Sequence, residues 1–517
     1  MRIIDNKALL LNLKTADKAR AIVETIPKAQ HVQGEGNQIL VRWGHEECMV
    51  LRNFKIKNVP SPILKDYGWP GFSKPFDHQR ETASFLTLNK RAFCFSEQGT
   101  GKTPSAIWAS DYLLEKQIVK RVLVICPLSI MQAAWQNDLF KFAMHRSVGI
   151  AHGDRKKRQD VIKSPVQYVI INFDGVQIVK DEIAKGGFDL IIIDEATALK
   201  NANTDRWKTI NSLVKPNTWL WAMTGTPAAQ SPVDAFGLGK LVCPDRMPKF
   251  AGAWKDMVMQ RITQFKWIPK PSSNDLVFKT LQPAIRYTKA QCLDLPDLLY
   301  TSRFVPLTKM QEKYYEQLRK QMTIEASGEQ VTAVNAAVNL NKLLQISSGA
   351  VYSDDGEILE FDCTDRLNVL KEVIDESSHK VLIFVPFRHA IEFLDKELSA
   401  AGYTCDVIHG GISGGKRAEI FKRFQEQSDP RVLIIQPQAA AHGVTLHAAN
   451  TVVWWGPITS FEVYAQANAR VHRAGQKNPC LVVHLEGSPV ERKLYAALSS
   501  KEDNHFDLMG LYESEVG

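Results

Sequence analysis

The sequence has few of the features that mark secreted, metal-binding or membrane proteins. Its 8 cysteines are scattered along the chain, and none of them forms a C-x-x-C pair. Several lie in apolar runs typical of strands, so we expect reduced core residues, without a zinc site. No apolar run approaches the ~18–20 residues of a membrane span, and the first residues show no signal-peptide pattern. These absences predict a soluble, cytoplasmic protein with no membrane partner.

Positive charge is in modest excess in this sequence. The chain has 64 lysines and arginines against 56 aspartates and glutamates, which gives a formal net charge of +8. This balance allows a polyanionic partner without requiring one. At 517 residues the chain is long enough for two or three domains with large cores.

The most informative stretch is a glycine-rich loop, Ser96-Glu-Gln-Gly-Thr-Gly-Lys-Thr103. It follows an apolar strand at 91–95 and precedes a helical segment at 105–114, the order in which backbone N–H groups hold a triphosphate. The predicted nucleotide-binding positions are Gly99, Thr100, Gly101, Lys102 and Thr103. Lys102 would reach the β- and γ-phosphates and Thr103 would bind Mg²⁺. Ser96 stands where the phosphate-loop pattern has its first glycine, so the loop alone is an incomplete signal.

A second stretch, Ile191-Ile-Ile-Asp194-Glu195, has the pattern of a buried strand that ends in two carboxylates. Such a strand delivers Asp194 to the metal and Glu195 to the attacking water. Taken alone, it could be an ordinary core strand. Together with the glycine-rich loop, and in this order, it predicts an enzyme that hydrolyses a nucleoside triphosphate.

Residues 120–139 and 379–398 repeat one pattern. Each segment is a buried strand, a proline that ends it and an amphipathic helix. Each continues to a second strand followed by His-Gly, at 152–153 and 409–410, and then to a basic helix start and a third strand. Strands that alternate with helices in this way predict parallel sheets covered on both faces. We interpret the repeat as a duplicated α/β domain whose first copy alone carries the nucleotide motifs.

Residues 462–476 contain what the second copy would contribute to hydrolysis. Arg470 and Arg473 are three apart on a predicted helix and would share one face. Cations that a second domain offers to a γ-phosphate act as arginine fingers. The alternative is a solvated basic helix.

These motifs resemble those of the Snf-type family of superfamily-two helicases, which are double-stranded DNA translocases. The resemblance covers roughly residues 74–500 and follows the family's motif order. The matching strings are Phe76–Gln79, Glu97–Thr103, Pro127–Trp135, Asp194–Thr197, Met223–Pro227, Gln438–Leu446 and Gln466–Gln476. The most family-specific of them is Arg470-Val-His-Arg-Ala-Gly-Gln476.

The resemblance implies ATP and Mg²⁺ as ligands and DNA as the partner. Gln79 would read the adenine, and Gly443 and Gln466 would complete the nucleotide site with Arg470 and Arg473. Contacts with DNA are implied for Ser129, Asn172, Arg388 and Thr445. The basic run at 155–158, which follows a strand end, is either a solvated loop or a phosphate contact, with an import signal as a less favoured alternative.

Two strings depart from the family's pattern. Thr197 replaces the usual histidine after Asp194-Glu-Ala, which puts the details of coupling in doubt, although not ATP binding. Alanines at 439–441 stand where relatives prefer glycines. Small residues there still permit a close approach of the backbone.

The resemblance implies an α/β fold of two tandem RecA-like parallel-sheet lobes, at 71–286 and 287–517, with a helical insertion near 305–346. Residues 1–70 lie outside it. Their pattern predicts a small α+β domain with a helix at 15–26, strands at 38–43 and 47–54, and a proline-rich linker. The linker resembles that of small phage-type DNA helicases. This domain either binds branched DNA or serves as a packing cap, and the sequence favours neither.

The first functional hypothesis is a monomeric ATP-dependent DNA translocase that remodels branched or forked DNA by branch migration, fork reversal or unwinding. The second is a motor that displaces or remodels proteins on DNA. The large extra domains of such remodellers are not recognisable in this sequence, which favours the first. A scaffold with a dead nucleotide site is disfavoured by the complete set of motif residues, and an RNA helicase by the string at 470–476. The cytoplasm of a bacterial or phage-infected cell is the expected location, with the nucleus as the alternative.

Overall fold

The computed structural model describes residues 1–32, 35–225, 227–228, 231–263, 267–292, 295–328, 333–352, 358–440, 444–473 and 475–499. The chain divides into two compact units. The first comprises Met1–Pro227 and Val233–Thr288, and the second comprises Ala228–Pro232 and Lys289–Gly517. Among the described residues, no helix combines the length and the apolar character needed to cross a lipid bilayer.

The first unit begins with a small α+β part, as predicted. Its antiparallel sheet has the order β1-β2-β4-β3. The strands are β1 Arg2–Ile4, β2 Ala8–Asn12, β3 Gln30–Val32 and β4 Glu35–Arg42, and the helices are α1 Ala16–Thr25, α2 His45–Asn53 and α3 Ile63–Asp66. Alternate strand residues such as Leu9 and Val41 pack against Ile22 of α1 and Leu51 of α2, because successive side chains of a strand point to opposite faces.

The strand predicted at 47–54 is wrong, because this segment forms α2. The buried residues Cys48 and Leu51 are three apart, which places them on one face of a helix, and Glu46 and Glu47 lie in its favourable first turn. Short apolar runs do not distinguish a strand from a helix by periodicity alone. The helix predicted at 15–26 is confirmed, and the Thr15 side chain caps it by accepting a hydrogen bond from Lys18 N.

The rest of the first unit is a lobe built on one large sheet and a two-stranded hairpin. Its strands are β5 Arg91–Cys94, β6 Val122–Cys126, β7 Val148–Ala151, β8 Tyr168–Asn172, β9 Leu190–Asp194, β10 Trp219–Met223, β11 Met259–Arg261, β12 Trp267–Pro269 and β13 Ala284–Ile285. Its helices are α4 Asp77–Thr87, α5 Lys102–Glu115, α6 Asn137–Phe142, α7 Arg155–Lys163, α8 Phe173–Ile178, α9 Lys180–Lys185, α10 Asp205–Leu213, α11 Ala235–Val242, α12 Ala251–Val258 and α13 Ser273–Thr280.

The N-terminal part is fixed to this lobe by packing and by hydrogen bonds. Leu88, at the end of α4, lies in the same apolar cluster as the N-terminal sheet. Arg52 of α2 donates hydrogen bonds to the Leu88 carbonyl and to Asn89 Oδ1. His45 Nε2 lies 2.7 Å from the carbonyl oxygen of Thr87. Sheet, helices and lobe therefore share one buried boundary.

The second unit is also built on one large sheet, with a small hairpin beside it. Its strands are β14 Leu298–Phe304, β15 Ala350–Tyr352, β16 Ile358–Glu360, β17 Lys380–Phe384, β18 Cys405–Ile408, β19 Val432–Ile435, β20 Ala449–Trp454 and β21 Cys480–Glu486. Its helices are α14 Lys289–Cys292, α15 Lys309–Gly328, α16 Ala333–Ser348, α17 Thr364–Glu376, α18 Arg388–Ala400, α19 Gly414–Glu426, α20 Pro437–Ala440, α21 Phe461–Asn468 and α22 Pro489–Ser499.

The two large sheets are parallel and share one strand order. The first runs β13-β5-β10-β9-β6-β8-β7, and the second runs β14-β21-β20-β17-β19-β18. Apart from β13, each strand of the first sheet has a counterpart at the same place in the second. Buried apolar clusters cover both faces of each sheet. This arrangement confirms the predicted pair of RecA-like lobes and supports the duplication.

Candidate functional site

The glycine-rich loop joins β5 to α5 at the carboxyl end of the first sheet. Gly99 and Gly101 have φ values of 85° and 82°, a left-handed region that glycine adopts without steric cost. A Cβ atom at Gly101 would also clash with Nε2 of Gln79. The backbone angle therefore favours glycine at position 101, and any larger residue would also displace the Gln79 side chain.

Lys102 and Thr103 occupy the first turn of α5. Lys102 is buried, and its Nζ donates hydrogen bonds to the carbonyl oxygens of Ser96 at 2.8 Å and Glu97 at 3.2 Å. Thr103 is half-buried beside it. Thr100, in the turn before the helix, donates from Oγ1 to the Glu97 carbonyl at 2.8 Å. The ammonium group is thus held inside the loop that the sequence predicted to bind phosphate.

The predicted adenine-reading residue lies against the same loop. Gln79 Nε2 is 3.5 Å from the carbonyl oxygen of Thr100, while its Oε1 accepts a hydrogen bond from Phe76 N at 3.0 Å. His78 Nε2 lies 2.8 Å from the same Thr100 carbonyl. The structure therefore brings the string at 76–79 together with the loop.

Asp194 ends β9 and is almost fully buried, with 5% of its surface exposed. Its Oδ2 accepts a hydrogen bond from Trp135 Nε1 at 2.9 Å, and its Oδ1 accepts one from Glu195 N at 3.0 Å. Burial raises the pKa of the Asp194 carboxyl, and the charge of Glu195 raises it further. A cation bound at this position would relieve both effects.

Glu195 follows in a left-handed conformation, with φ 52°, that is uncommon for a residue other than glycine. Its Oε1 accepts a hydrogen bond from Gln98 Nε2 at 3.0 Å. Its Oε2 is buried, and no described residue forms a hydrogen bond with it. The carboxylate is thus held by one oxygen, and the other can accept a proton or a water hydrogen bond.

The residues around the loop fit ATP with a magnesium ion. Among the described residues, no group of three histidine, cysteine, aspartate or glutamate side chains could hold a metal alone. Mg²⁺ typically takes one or two protein ligands and completes its shell with phosphates and waters. Asp194 and Thr103 suit that mode of binding, and the glycine backbone leaves room for the phosphates.

The DNA-contacting residues predicted in the first unit differ in exposure. Ser129 is exposed in a short 3₁₀ turn after β6. Asn172 ends β8, is only 9% exposed, and accepts a hydrogen bond at Oδ1 from Arg158 Nη1 at 2.9 Å. Arg158 also donates to the carbonyls of Ala151 and Gly153. The run at 155–158 is not a loop, because these residues begin α7, but residues 155–157 are solvated as that interpretation expected, and only Arg158 is buried.

In the second unit the predicted residues fall into two places. Arg388 is exposed at the start of α18 and pairs with Glu392 at 3.0 Å. Thr445 lies in the segment before β20, next to the residues that contact Arg470 and Arg473. The carbonyl of Arg470 accepts from Leu446 N at 2.9 Å, and Arg473 Nη1 donates to the Val444 carbonyl at 3.0 Å. Gly443 lies outside the described residues.

The helix predicted to carry both arginines is shorter than expected. It is α21, which ends at Asn468, so Arg470 and Arg473 lie in the turn that follows. Asn468 Oδ1 accepts a hydrogen bond from Trp454 Nε1 at 3.0 Å, and the Gln476 amide donates to the Ala449 carbonyl at 2.9 Å. These tertiary contacts tie the turn to β20 and override helix propensity. Gln466 remains on the helix, buried, with Nε2 donating to Glu462 Oε1 at 3.2 Å.

Two family models match the chain in the same order as the two lobes. The SNF2-related domain matches residues 78–349, more than half of the chain, and the helicase conserved C-terminal domain matches residues 365–475. The chain belongs to the SNF2-related family.

Among curated relatives, this SNF2-related chain is 27% identical over 421 residues to an uncharacterized ATP-dependent helicase of Mycoplasma genitalium. The matched region covers 79% of this chain and 39% of the relative. It is 24% identical over 440 residues to protein p41 of Acyrthosiphon pisum secondary endosymbiont phage 1, covering 80% of this chain and 92% of that protein. The chain spans about two fifths of the length of the mycoplasma relatives.

Among solved structures, the chain is similar to the SWI2/SNF2 ATPase core of Sulfolobus solfataricus in complex with dsDNA. The identity is 21% and the TM-score is 0.42, and the match covers 86% of this chain and 96% of that one.

Three residues of the SNF2-related site were missed by sequence reasoning. Gln98 orients Glu195, Trp135 contacts Asp194, and Arg158 holds Asn172. Gln98 and Trp135 lie inside strings that were recognised, but a pattern does not reveal which side chain turns inward. A sequence signal for Arg158 does exist. Asp154 is a good N-cap residue, so a helix is expected to start there. Side chains of a helix lean toward the helix N-terminus, which directs Arg158, four residues later, back toward the first turn.

Proposed function

We propose that this SNF2-related chain is an ATP-dependent DNA translocase or helicase that remodels branched or forked DNA. The observation that carries the proposal is the carboxylate pair beside the glycine-rich loop, the buried Asp194 and the half-buried Glu195. Glu195 is held at one oxygen by Gln98 and has its second oxygen buried and available. Such an arrangement is suited to water activation next to a phosphate-bound cation.

In the proposed reaction the loop residues bind and orient ATP. Lys102 would exchange the carbonyls of Ser96 and Glu97 for phosphate oxygens, and the backbone N–H groups at the start of α5 would stabilise the same phosphates. Asp194 and Thr103 would hold Mg²⁺, which neutralises phosphate charge when bound.

Glu195 is the proposed proton acceptor. The Gln98 amide holds Oε1 of Glu195 by a hydrogen bond, and the left-handed backbone at Glu195 is a strained conformation of the kind found at functional sites. Oε2 would then accept the proton of the attacking water. Arg470, Arg473 and Gln466 keep their predicted role of stabilising the γ-phosphate charge.

DNA is the proposed partner because exposed polar residues follow the carboxyl ends of strands in both lobes. Ser129 follows β6 and Arg388 follows β17, which are counterparts in the two sheets. The net charge of +8 favours a polyanion. Contacts of this kind go to phosphates and carry no sequence information, so binding should depend steeply on salt and weakly on sequence.

The deciding experiment is ATP turnover measured with single-stranded, duplex, forked and four-way DNA at matched salt. We expect forked or four-way DNA to stimulate turnover most. A four-way-junction branch-migration assay run beside a protein-roadblock displacement assay separates DNA remodelling from protein remodelling. Turnover that no DNA alters would overturn the proposal, and stimulation by RNA alone would assign the motor to RNA.

The site assignment is tested by Lys102→Ala, which should reduce turnover by about 10²–10³-fold or more because a phosphate-stabilising donor is lost. Lys380→Ala is the matched control in the second lobe. Lys380 Nζ likewise donates to two main-chain carbonyls, those of Phe424 and Gln427, and none of these three residues lies in a family motif string. Full activity of Lys102→Ala would refute the site.

A further inference from the structure

Trp135 joins the candidate nucleotide site to the segment that carries Ser129. Its ring is fully buried, and its Nε1 donates to Asp194 Oδ2 at 2.9 Å. The hydrogen bond runs between a residue predicted to hold the cation and a segment predicted to touch DNA. Within the part of the chain that the structure describes, Trp135 is the side chain that donates a hydrogen bond to the Asp194 carboxylate.

The segment that carries Trp135 has an unusual backbone. After β6 it forms a 3₁₀ turn at Leu128–Ile130, then a π-helix at Met131–Gln136, and only then α6. π-helical turns are rare, and they occur frequently at functional sites. Here the wide turn lets Trp135 reach inward to the end of β9.

The two ends of this segment face different surroundings. Leu128 and Ser129 are exposed, whereas Ile130, Met131 and Trp135 are buried in one apolar cluster of the lobe. A displacement of the exposed end would be felt in the packed interior, because close-packed side chains resist local displacement. The Trp135 N–H is the point at which that interior meets the Asp194 carboxylate.

We propose that Trp135 is a positioning residue that couples DNA bound at the 128–129 turn to the nucleotide site through its hydrogen bond with Asp194. This inference rests on the proposed function. Coupling between two binding sites is reciprocal: if DNA raises the affinity for nucleotide by some factor, nucleotide raises the affinity for DNA by the same factor. Loss of the Trp135 N–H should weaken both effects together.

The test is Trp135→Phe in the full chain, which keeps an aromatic ring and removes the N–H donor. Trp221→Phe is the matched control, because Trp221 is also fully buried in this cluster and donates from Nε1 to a main-chain carbonyl, that of Asn89, at 3.0 Å. The readouts are the affinity for fluorescent duplex DNA with and without a non-hydrolysable ATP analogue, and the half-saturating ATP concentration with and without DNA.

We expect Trp135→Phe to reduce the coupling factor by about five-fold or more in both readouts, while Trp221→Phe keeps the wild-type factor. Equal coupling in Trp135→Phe and wild type would overturn the inference and leave the proposed function standing. Equal loss in both variants would also overturn it, since that result indicates general destabilisation. A wild type without any DNA effect on nucleotide binding or turnover would refute both the inference and the proposed function.

Hydrogen exchange on the wild type makes the test independent of any variant. Binding of the ATP analogue with Mg²⁺ should change the exchange of the backbone amides at 131–136 by at least about five-fold, because these residues hold Trp135 against Asp194. The amides of β10 around Trp221 serve as the internal reference. Unchanged exchange at 131–136 at saturating nucleotide would contradict the coupling.

Discussion

The carboxyl ends of β9 and β20 occupy equivalent places in two sheets that share one strand order, but one end carries carboxylates and the other carries tryptophans. β9 ends in the buried Asp194 and is followed by the half-buried Glu195, whereas β20 ends in Trp454 and is followed by Trp455, both fully buried. The Trp454 and Trp455 indoles donate to Asn468 Oδ1 and to the Ser348 carbonyl, each at 3.0 Å. Equivalent positions in the fold therefore do not imply equivalent roles. The residues at each strand end decide whether it is suited to bind a ligand or to fill the core.

The largest effect should come from the arginines of the second lobe. Arg473→Lys and Arg470→Lys should each reduce DNA-stimulated turnover by about 10³-fold, because a lysine cannot reproduce the guanidinium fork at a γ-phosphate. Arg431→Lys is the control. Arg431 immediately precedes β19, and its Nη2 also donates to main-chain carbonyls, those of Ile374 and Ser377. Near-normal turnover in Arg473→Lys would indicate that Arg473 only stabilises the turn in which it lies, as the tryptophans at the end of β20 only fill the core.

Glu195→Gln should lower the maximal turnover by about 10²-fold or more while leaving the half-saturating ATP concentration nearly unchanged. The amide oxygen can still accept from Gln98, so the geometry is kept and only the base is lost. Glu182→Gln is a matched control, because Glu182 also accepts from a glutamine amide, that of Gln159, and its Oε2 is also buried without a partner among the described residues. If both variants turned over ATP at the same rate, Glu195 would not be the catalytic base.

Acid should destabilise the second lobe, because His484 is buried in its sheet beside Trp454. Burial lowers the pKa of His484 to about 4 from an ordinary value near 6.5. The folded state therefore binds fewer protons than the unfolded state in this window. The resulting stabilisation is complete above pH 6.5 and is lost as the pH falls to 4, by about 3 kcal/mol.

Melting curves of wild type and His484→Gln between pH 4.5 and 7.5 check this prediction. The variant should be less stable at neutral pH, because it loses the stacking on Tyr495 and the contact with Tyr464. Its melting temperature should depend less on pH. A slope as steep as that of the wild type would assign the acid sensitivity to other groups.

The smallest effect is expected for Arg388, the exposed counterpart of the turn after β6. Arg388→Ala should weaken duplex DNA binding a few-fold and reduce the slope of log affinity against log salt by ~1. Lys422→Ala is the control, since Lys422 is an exposed cation of the same lobe with a glutamate four residues later, as in Arg388. Equal salt slopes in the two variants would remove Arg388 from the DNA-binding surface.

Sequence reasoning predicted the sheets and the loop because their signals are local. The buried runs at 122–126 and 190–194, the glycines before Lys102 and the repeated proline and His-Gly positions each depend on a few neighbouring residues. The end of α21, the helix α2 and the inward turn of Arg158 depend on contacts between distant segments, such as Gln476 with the Ala449 carbonyl. Those contacts exist only after folding, so no pattern within one segment could predict them. The roles of all the predicted site residues, in the nucleotide site and on the DNA side alike, stay predictions.

The buried boundary between the N-terminal sheet and the first lobe bears on how that region should be studied. Deleting the first 57 residues would expose Leu88 and leave the carbonyls of Thr87 and Leu88 without their partners from α2. A truncated protein that lost activity could therefore have lost its fold, and the result would say nothing about branched DNA. Charge-reversing substitutions at solvent-facing positions of the sheet, such as Arg2 and Arg42, would separate the two explanations without disturbing that boundary.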